Sequence, residues 1–272
     1  MTTMEAIQPA KERFGRILQH QLERVQRLKQ ENDWIDYASV SPIIIGMIGG
    51  DGIGPTISAE TERVLGYLLR DQVAAGKVEF RIIEGLTIEN RAAKMKSIPD
   101  DVLEAIKQCH VILKGPTHTP EKGDGWPNLE SANVLMRQKL DLFANVRPVR
   151  ISSQDVDWTF FRENTEGLYA LGNQGIDVTS DLAVDFRVTT NQGSERIIDA
   201  AFAHAQRTGK RRVTVVTKAN IVKCTDGKFL DIAGQVAERY PRIEWDSWYI
   251  DIMTANLLDV RQRQPWQTVR DV

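Results

Sequence analysis

The stretch IIIGMIGGDGIGP, residues 43–55, decides the fold class. Its first six residues form an unbroken apolar run, the pattern of a strand buried on both faces of a parallel sheet. The glycines that follow turn the chain tightly, and the pattern from Thr56 to Leu69 predicts a helix. Gly50, Gly52 and Gly54 alternate, and Pro55 stands where the last glycine of a G-x-G-x-x-G loop belongs. The fold is therefore α/β but not classical Rossmann.

Outward from this stretch, strands and helices alternate. Strands are expected at Val78–Ile83 and His110–Leu113, with a helix at Asp100–Gln108 between them. The Glu-, Asn- and Arg-containing stretch after Ile83 has no readable role. LKGPTHTP (113–120) follows a strand, and ligands of open α/β sheets bind beyond carboxyl strand ends, which places Lys114 and Thr119 at a cleft. His118 reads as a solvated loop histidine. Farther on, Trp158–Phe161 reads as a strand and Tyr169–Thr190 as a β-hairpin arm. Then come a helix at Glu195–Thr208, a strand at Arg212–Thr217, a helix at Lys228–Glu238 and a strand at Ile243–Ile250.

Bulk composition narrows the function classes. The chain has 272 residues, 42% hydrophobic, with a net charge of −2. It offers no basic field for nucleic acid, and no apolar run of membrane-spanning length. Cys109 and Cys224 are too few for a disulfide scaffold and lack metal-site spacing. A soluble protein of a reducing cytoplasm is the expectation, with neither nucleic-acid nor membrane partners. Phe14, Ile17, Leu18, Leu22, Val25 and Leu28 recur at helical spacing. Glu5, Glu12 and Glu23 argue against a transit peptide, so this helix should lie on the main domain or on a neighbouring subunit.

Between Ser131 and Tyr169 stand Arg137, Arg147 and Arg162. Ser131 is placed as an N-cap, and Asn133 and Arg137 share a helix face. ANVRP is extended because a residue before proline leaves the α region. Arginine forks hold carboxylates in pairs of hydrogen bonds, so three arginines facing one pocket would suit a tricarboxylic acid. Any one of them alone is more commonly a solvated surface charge.

SANVLMRQKLDLFANVRP (131–148), FFRENTEGLY (160–169), VTVVTKANIVKCTDGKF (213–229) and WYIDIMTANLL (248–258) together resemble the β-decarboxylating dehydrogenases. That family contains the isocitrate, homoisocitrate and isopropylmalate dehydrogenases, and the resemblance runs from about Ile43 onward. It implies the three-layer isocitrate/isopropylmalate dehydrogenase-like fold. Residues 1–40 would be a helical extension, 41–145 the N-terminal part of the large cofactor-side domain, and 146–272 the small substrate and dimerisation domain. It further implies NAD or NADP, Mg²⁺ or Mn²⁺, and a homodimer with shared active sites and interlocking arms. By resemblance, Ser131, Asn133, Arg137, Arg147 and Arg162 bind the substrate. Tyr169 and Lys218 are catalytic, Lys114, Thr119 and Asn220 meet the cofactor, and Asp251 binds metal. The Ser131-x-Asn133 pair favours isocitrate, with homoisocitrate and isopropylmalate as alternatives. Family members continue into an Asn-Leu-x-Gly-Asp-x-x-Ser-Asp segment, which Asp271 does not match. The C-terminal part of the fold is thus expected to be missing, and a non-catalytic dimerising or regulatory subunit is the rival reading.

Overall fold

The computed structural model describes residues 3–30, 35–121, 123–154, 156–172 and 174–257. Leu258 and Asp271 lie outside them. Two compact units result, one drawn from Asn32–Asp141 and the other from Leu142 onward together with the N-terminal helix α1 (Thr3–Gln30).

The 32–141 unit is built on β1 (Ile43–Ile48). Helices α2 (Gly54–Leu68) and α3 (Arg70–Ala74) lead to β2 (Val78–Ile82). Helices α4 (Ile88–Lys94) and α5 (Asp100–Lys107) lead on to β3 (Val111–Lys114), and α6 (Ala132–Lys139) closes the unit. The strands are parallel in the order β2-β1-β3, with Ile45 opposite both Phe80 and Val111. Burial on both faces of β1 holds for Gly46–Ile48 but not for Ile43–Ile45, which stay partly exposed. The reason is the position of the core: Ile83, Leu86, Ile98, Val102, Ile106, Ala132 and Met136 gather around Ile48, at the carboxyl end of the strand. The glycine loop does more than turn the chain. Gly50 has φ +71°, and a Cβ there would lie 2.0 Å from the Pro116 carbonyl oxygen. A Cβ on Gly115 would lie equally close, 2.0 Å, to the Gly49 carbonyl oxygen. These glycines let the loops after β1 and β3 meet backbone to backbone, sealed by Asp51 N–H donating to Pro116 O at 2.7 Å.

The second unit opens with an antiparallel ribbon, β4 (Ala144–Ile151) and β5 (Val156–Glu163). Arg162 therefore lies inside a strand, not beyond its end as the shorter expected span implied, because the ladder runs on to Ala144 opposite Glu163. The expected hairpin follows as β6 (Ile176–Thr179) and β7 (Leu182–Val184). Next come α7 (Asn191–Thr208), β8 (Arg212–Thr217), α8 (Thr225–Ala237), β9 (Glu244–Tyr249) and α9 (Ile250–Asn256), with β8 and β9 parallel. Helix α7 begins four residues before the expected Glu195, because the Thr190 side chain caps it by accepting from Gly193 N–H at 3.0 Å. Ile197, Ile198, Phe202, Val215, Ile232 and Val236 form the core of this unit.

Helix α1 packs on its own chain. Ile17 is buried with Leu171 and Ile176, and Phe14 stacks on Phe186 at 5.0 Å between ring centroids. Leu18 and Leu22, part of the expected apolar stripe, remain exposed. The packed face instead passes through Ala10, Phe14 and Ile17 to Arg24. Among the described residues no helix is long and apolar enough to cross a membrane.

Phe202 is fully buried and stacks on Tyr240 at 5.3 Å. Phe202→Ala should cost about 3–5 kcal/mol of stability, read as a lower urea midpoint with the slope unchanged.

Candidate active site

In the 32–141 unit the carboxyl end of β3 delivers Lys114. Its Nζ donates to Gly115 O at 2.6 Å and to Thr117 Oγ1 at 3.2 Å. The Thr117 hydroxyl in turn donates to Asn133 Oδ1 at 3.3 Å. Asn133 lies in the first turn of α6, with Arg137 one turn further along the same face. Burial pushes the Lys114 ammonium down in pKa; Asp51 opposes this, and the Arg91 and Arg137 guanidiniums reinforce it. An ammonium, a guanidinium, a hydroxyl and an amide thus gather in one small region, a set suited to carboxylate or phosphate oxygens. Ser131 occupies the N-cap position, but its side chain makes no capping bond. Thr119 is exposed on the loop beyond.

Asp51 of the glycine loop and Arg91, from the stretch that had no readable role, hold this loop in place. Asp51 accepts from Ile88 N–H at 2.7 Å and from His118 N–H at 2.6 Å. Arg91 is fully buried and donates to the carbonyls of Ser97 at 2.8 Å, His118 at 2.7 Å and Glu130 at 3.4 Å. The backbone of His118 is therefore clamped from both sides, while its imidazole pairs with Asp124 at 3.0 Å. Arg91, Asp51 and Thr117 escape sequence reading because their partners are distant backbone groups or lie in another element.

In the second unit, Arg147 and Arg162 stand on one face of the β4–β5 ribbon. Asn145 is directly opposite Arg162, and Arg147, two residues along β4, donates to Asn145 Oδ1 at 2.8 Å. Arg162 donates to Asn164 Oδ1 at 3.3 Å and lies over the Tyr169 ring at 5.5 Å. At the carboxyl tips of β8 and β9, Lys218 Nζ pairs with Asp251 Oδ1 at 2.7 Å. The hydrogen bond from Lys218 holds the Asp251 carboxyl below the usual carboxylate range. Lys218 is fixed at its backbone too, where its N–H donates to the buried Asp226 at 2.6 Å, and Asp226 pairs with Arg187 at 2.8 Å. Asn220 is exposed in the turn after Lys218. Among the described residues no three His, Cys, Asp or Glu side chains gather as a metal site. One exposed carboxylate does not satisfy a hard cation that wants six or more oxygens.

The chain matches the family model for isocitrate/isopropylmalate dehydrogenase over residues 44–266. It is 31% identical over 229 residues to a homoisocitrate dehydrogenase of Methanocaldococcus jannaschii, covering 78% of this chain and 62% of that protein. It is 37% identical over 208 residues to subunit 2 of the NAD isocitrate dehydrogenase of Schizosaccharomyces pombe, covering 74% of this chain and 51% of that one. The crystal structure of isocitrate dehydrogenase from Methylococcus capsulatus superposes with a TM-score of 0.64 at 35% identity, covering 79% of this chain and 62% of that one. The chain thus spans little more than half the length of these relatives.

Arg91→Met would strand three carbonyls, and a buried acceptor left unmet costs about 1–3 kcal/mol. The variant should lose roughly 3 kcal/mol or more in urea denaturation; an unchanged midpoint would mean the clamp contributes nothing.

Proposed function

The chain belongs to the isocitrate/isopropylmalate dehydrogenase family, and from that premise we propose the oxidative decarboxylation of isocitrate to 2-oxoglutarate with NAD or NADP. The observation that carries this reading is the ribbon face where Arg147 and Arg162 flank Asn145, with the Tyr169 ring against Arg162. Two guanidiniums on one face of a strand pair, with no carboxylate paired to them among the described residues, fit substrate carboxylates. In this reading Arg147 and Arg162 take carboxylates of isocitrate, and Arg137 with Ser131 and Asn133 takes another. Lys114, Thr119 and Asn220 border the dinucleotide.

The chemistry assigned to these side chains is proton handling. Lys218 Nζ would accept the proton of the C2 hydroxyl, through water, as C2 is oxidised. The bond from C3 to its carboxylate would then break, carbon dioxide leaving and the electron pair staying on the product as an enolate. Tyr169 Oη returns a proton to C3. When bound, the nicotinamide supplies the hydride acceptor, and Mg²⁺ or Mn²⁺ supplies a positive charge beside the reacting oxygens. Asp251 is the one described carboxylate placed to be a ligand of that cation. The proposed assembly is a homodimer in which each chain lends Lys218 and Asp251 to its partner's site.

A second reading has its own support. Lys218 is held by Asp251 in the structure, which suits a dimerising subunit that binds the acid without turnover.

Calorimetry with isocitrate should show binding, and Arg147→Ala should weaken it at least tenfold, since a hydrogen bond to a charged group contributes about 1.5–3 kcal/mol. Equal affinity in both proteins would defeat the pocket. A spectrophotometric assay of NAD(P)H formation, with isocitrate, homoisocitrate and 3-isopropylmalate in turn, sorts the substrates. In it Lys218→Met should lower kcat by about 10²–10⁴ with little change in KM. Binding without NAD(P)H formation by the unmodified chain favours the second reading.

A further inference from the structure

The turn Asn164–Gly167 joins the two residues of the ribbon face that come from different elements, Arg162 on β5 and Tyr169 beyond it. Underneath it lie two carboxylates, Glu163 and Glu166, with side chains 13% and 4% exposed. Two carboxylates in one dry turn require compensation. Glu163 receives Thr165 N–H at 2.8 Å, the Thr165 hydroxyl at 2.6 Å, and the N–H of Glu166. Glu166 receives Thr190 N–H at 2.9 Å and the Thr190 hydroxyl, against the N-terminal turn of α7.

Two arginines supply the opposite charge, and they come from different places. Arg196 of α7 donates to Thr165 Oγ1 at 3.0 Å and lies 3.9 Å from Glu163. Arg24 comes from α1, more than a hundred residues away in sequence. Its Nη1 donates to Glu166 Oε1 at 3.0 Å and its Nη2 to Thr165 Oγ1 at 3.5 Å. The Thr165 hydroxyl thus donates once and accepts twice, which exhausts its capacity. Glu166 also holds Tyr169 through its backbone, since its carbonyl accepts from Tyr169 N–H at 3.2 Å. Burial drives the Glu163 carboxyl above the usual carboxylate range, and the nearby Glu166 adds to it.

We propose that Arg24 is a positioning residue: α1 inserts a guanidinium beneath the Asn164–Gly167 turn as the counter-ion of Glu166, and so sets the placement of Arg162 and Tyr169 for the bound acid. The N-terminal helix is then a working part of the ligand-binding face and not a detachable preface. This inference rests on the reading of Arg162 and Tyr169 as ligand-facing groups.

The test compares the complete chain with Arg24→Gln, Arg24→Lys, Glu166→Gln and the Arg24→Gln/Glu166→Gln double variant, each checked for its fold by circular dichroism. Arg24→Gln should weaken isocitrate binding about tenfold, the scale of a small misplacement of contact groups. Arg24→Lys, which keeps the charge, should recover most of that loss. The double variant should recover it too, because it removes the carboxylate that needed the counter-ion, and a merely structural role for Arg24 in seating α1 predicts no such rescue. Native-state hydrogen exchange at the amides of 164–169, measured without ligand, should quicken in Arg24→Gln and return toward normal in the double variant. If the unmodified chain binds no isocitrate, the proposed substrate fails, and the exchange rates still decide whether Arg24 holds the turn. Unchanged exchange, or unchanged affinity in Arg24→Gln, overturns the positioning role.

Discussion

Glu166, almost wholly buried and held by Arg24 and Thr190, is the interaction on which the second unit depends. A carboxylate in such a place is strongly unfavourable unless charge and hydrogen bonds surround it, and here three elements meet because each supplies part of that surround. Helix α1 gives the guanidinium, and the start of α7 gives the amide and hydroxyl of its capping residue. The turn after β5 gives the carboxylate itself. Gly193 belongs to the same requirement, since a Cβ there would lie 2.2 Å from the Glu166 carboxyl carbon. A glycine inside the first turn of a helix weakens the helix, but any larger residue would exclude the buried acid.

The 32–141 unit solves a matching problem with the opposite charge. Arg91 is a buried cation surrounded by carbonyls, and Asp51 is the anion that clamps the same loop from its other side. Burial lowers the pKa of Arg91, with Asp51 acting against that. In both units, then, a buried ion holds the segment that follows a strand bearing a polar side chain: the loop with Thr117 after Lys114 of β3 in one, the turn before Tyr169 after Arg162 of β5 in the other. Loops run over the surface because their backbone groups need water, and an internal ion gives such a loop a defined shape.

What could be read from the sequence follows from how local each signal is. Arg212–Thr217 matches its strand to the residue, because Val213, Val215 and Val216 favour extended backbone within six residues. The hairpin after Tyr169 was equally legible from alternation and turn residues. The start of α7 was not, because its determinant is the Thr190 side chain and not apolar periodicity. Leu18 and Leu22 misled for a related reason: periodicity marks a stripe, whereas the packed face also includes Arg24, whose partner is 142 residues away. The candidate site divides in the same manner. Arg147, Arg162 and Tyr169 were found through motif resemblance, while Thr117, Arg91 and Glu166 become visible only when distant chain segments are brought together.

Lys218 and Asp251 show how topology turns separate residues into a pair. Neither has a sequence neighbour that predicts the other, yet β8 and β9 are adjacent parallel strands in register from Arg212 opposite Glu244 to Thr217 opposite Tyr249. Residues just past the ends of such strands must arrive at one edge of the sheet, and at that edge Lys218 meets both Asp251 and the Tyr249 ring. The buried Asp226 takes the Lys218 backbone N–H. An exposed pair of this kind adds little to stability. The fold thus holds the lysine backbone through Asp226 and leaves its charged end partly exposed, paired with Asp251.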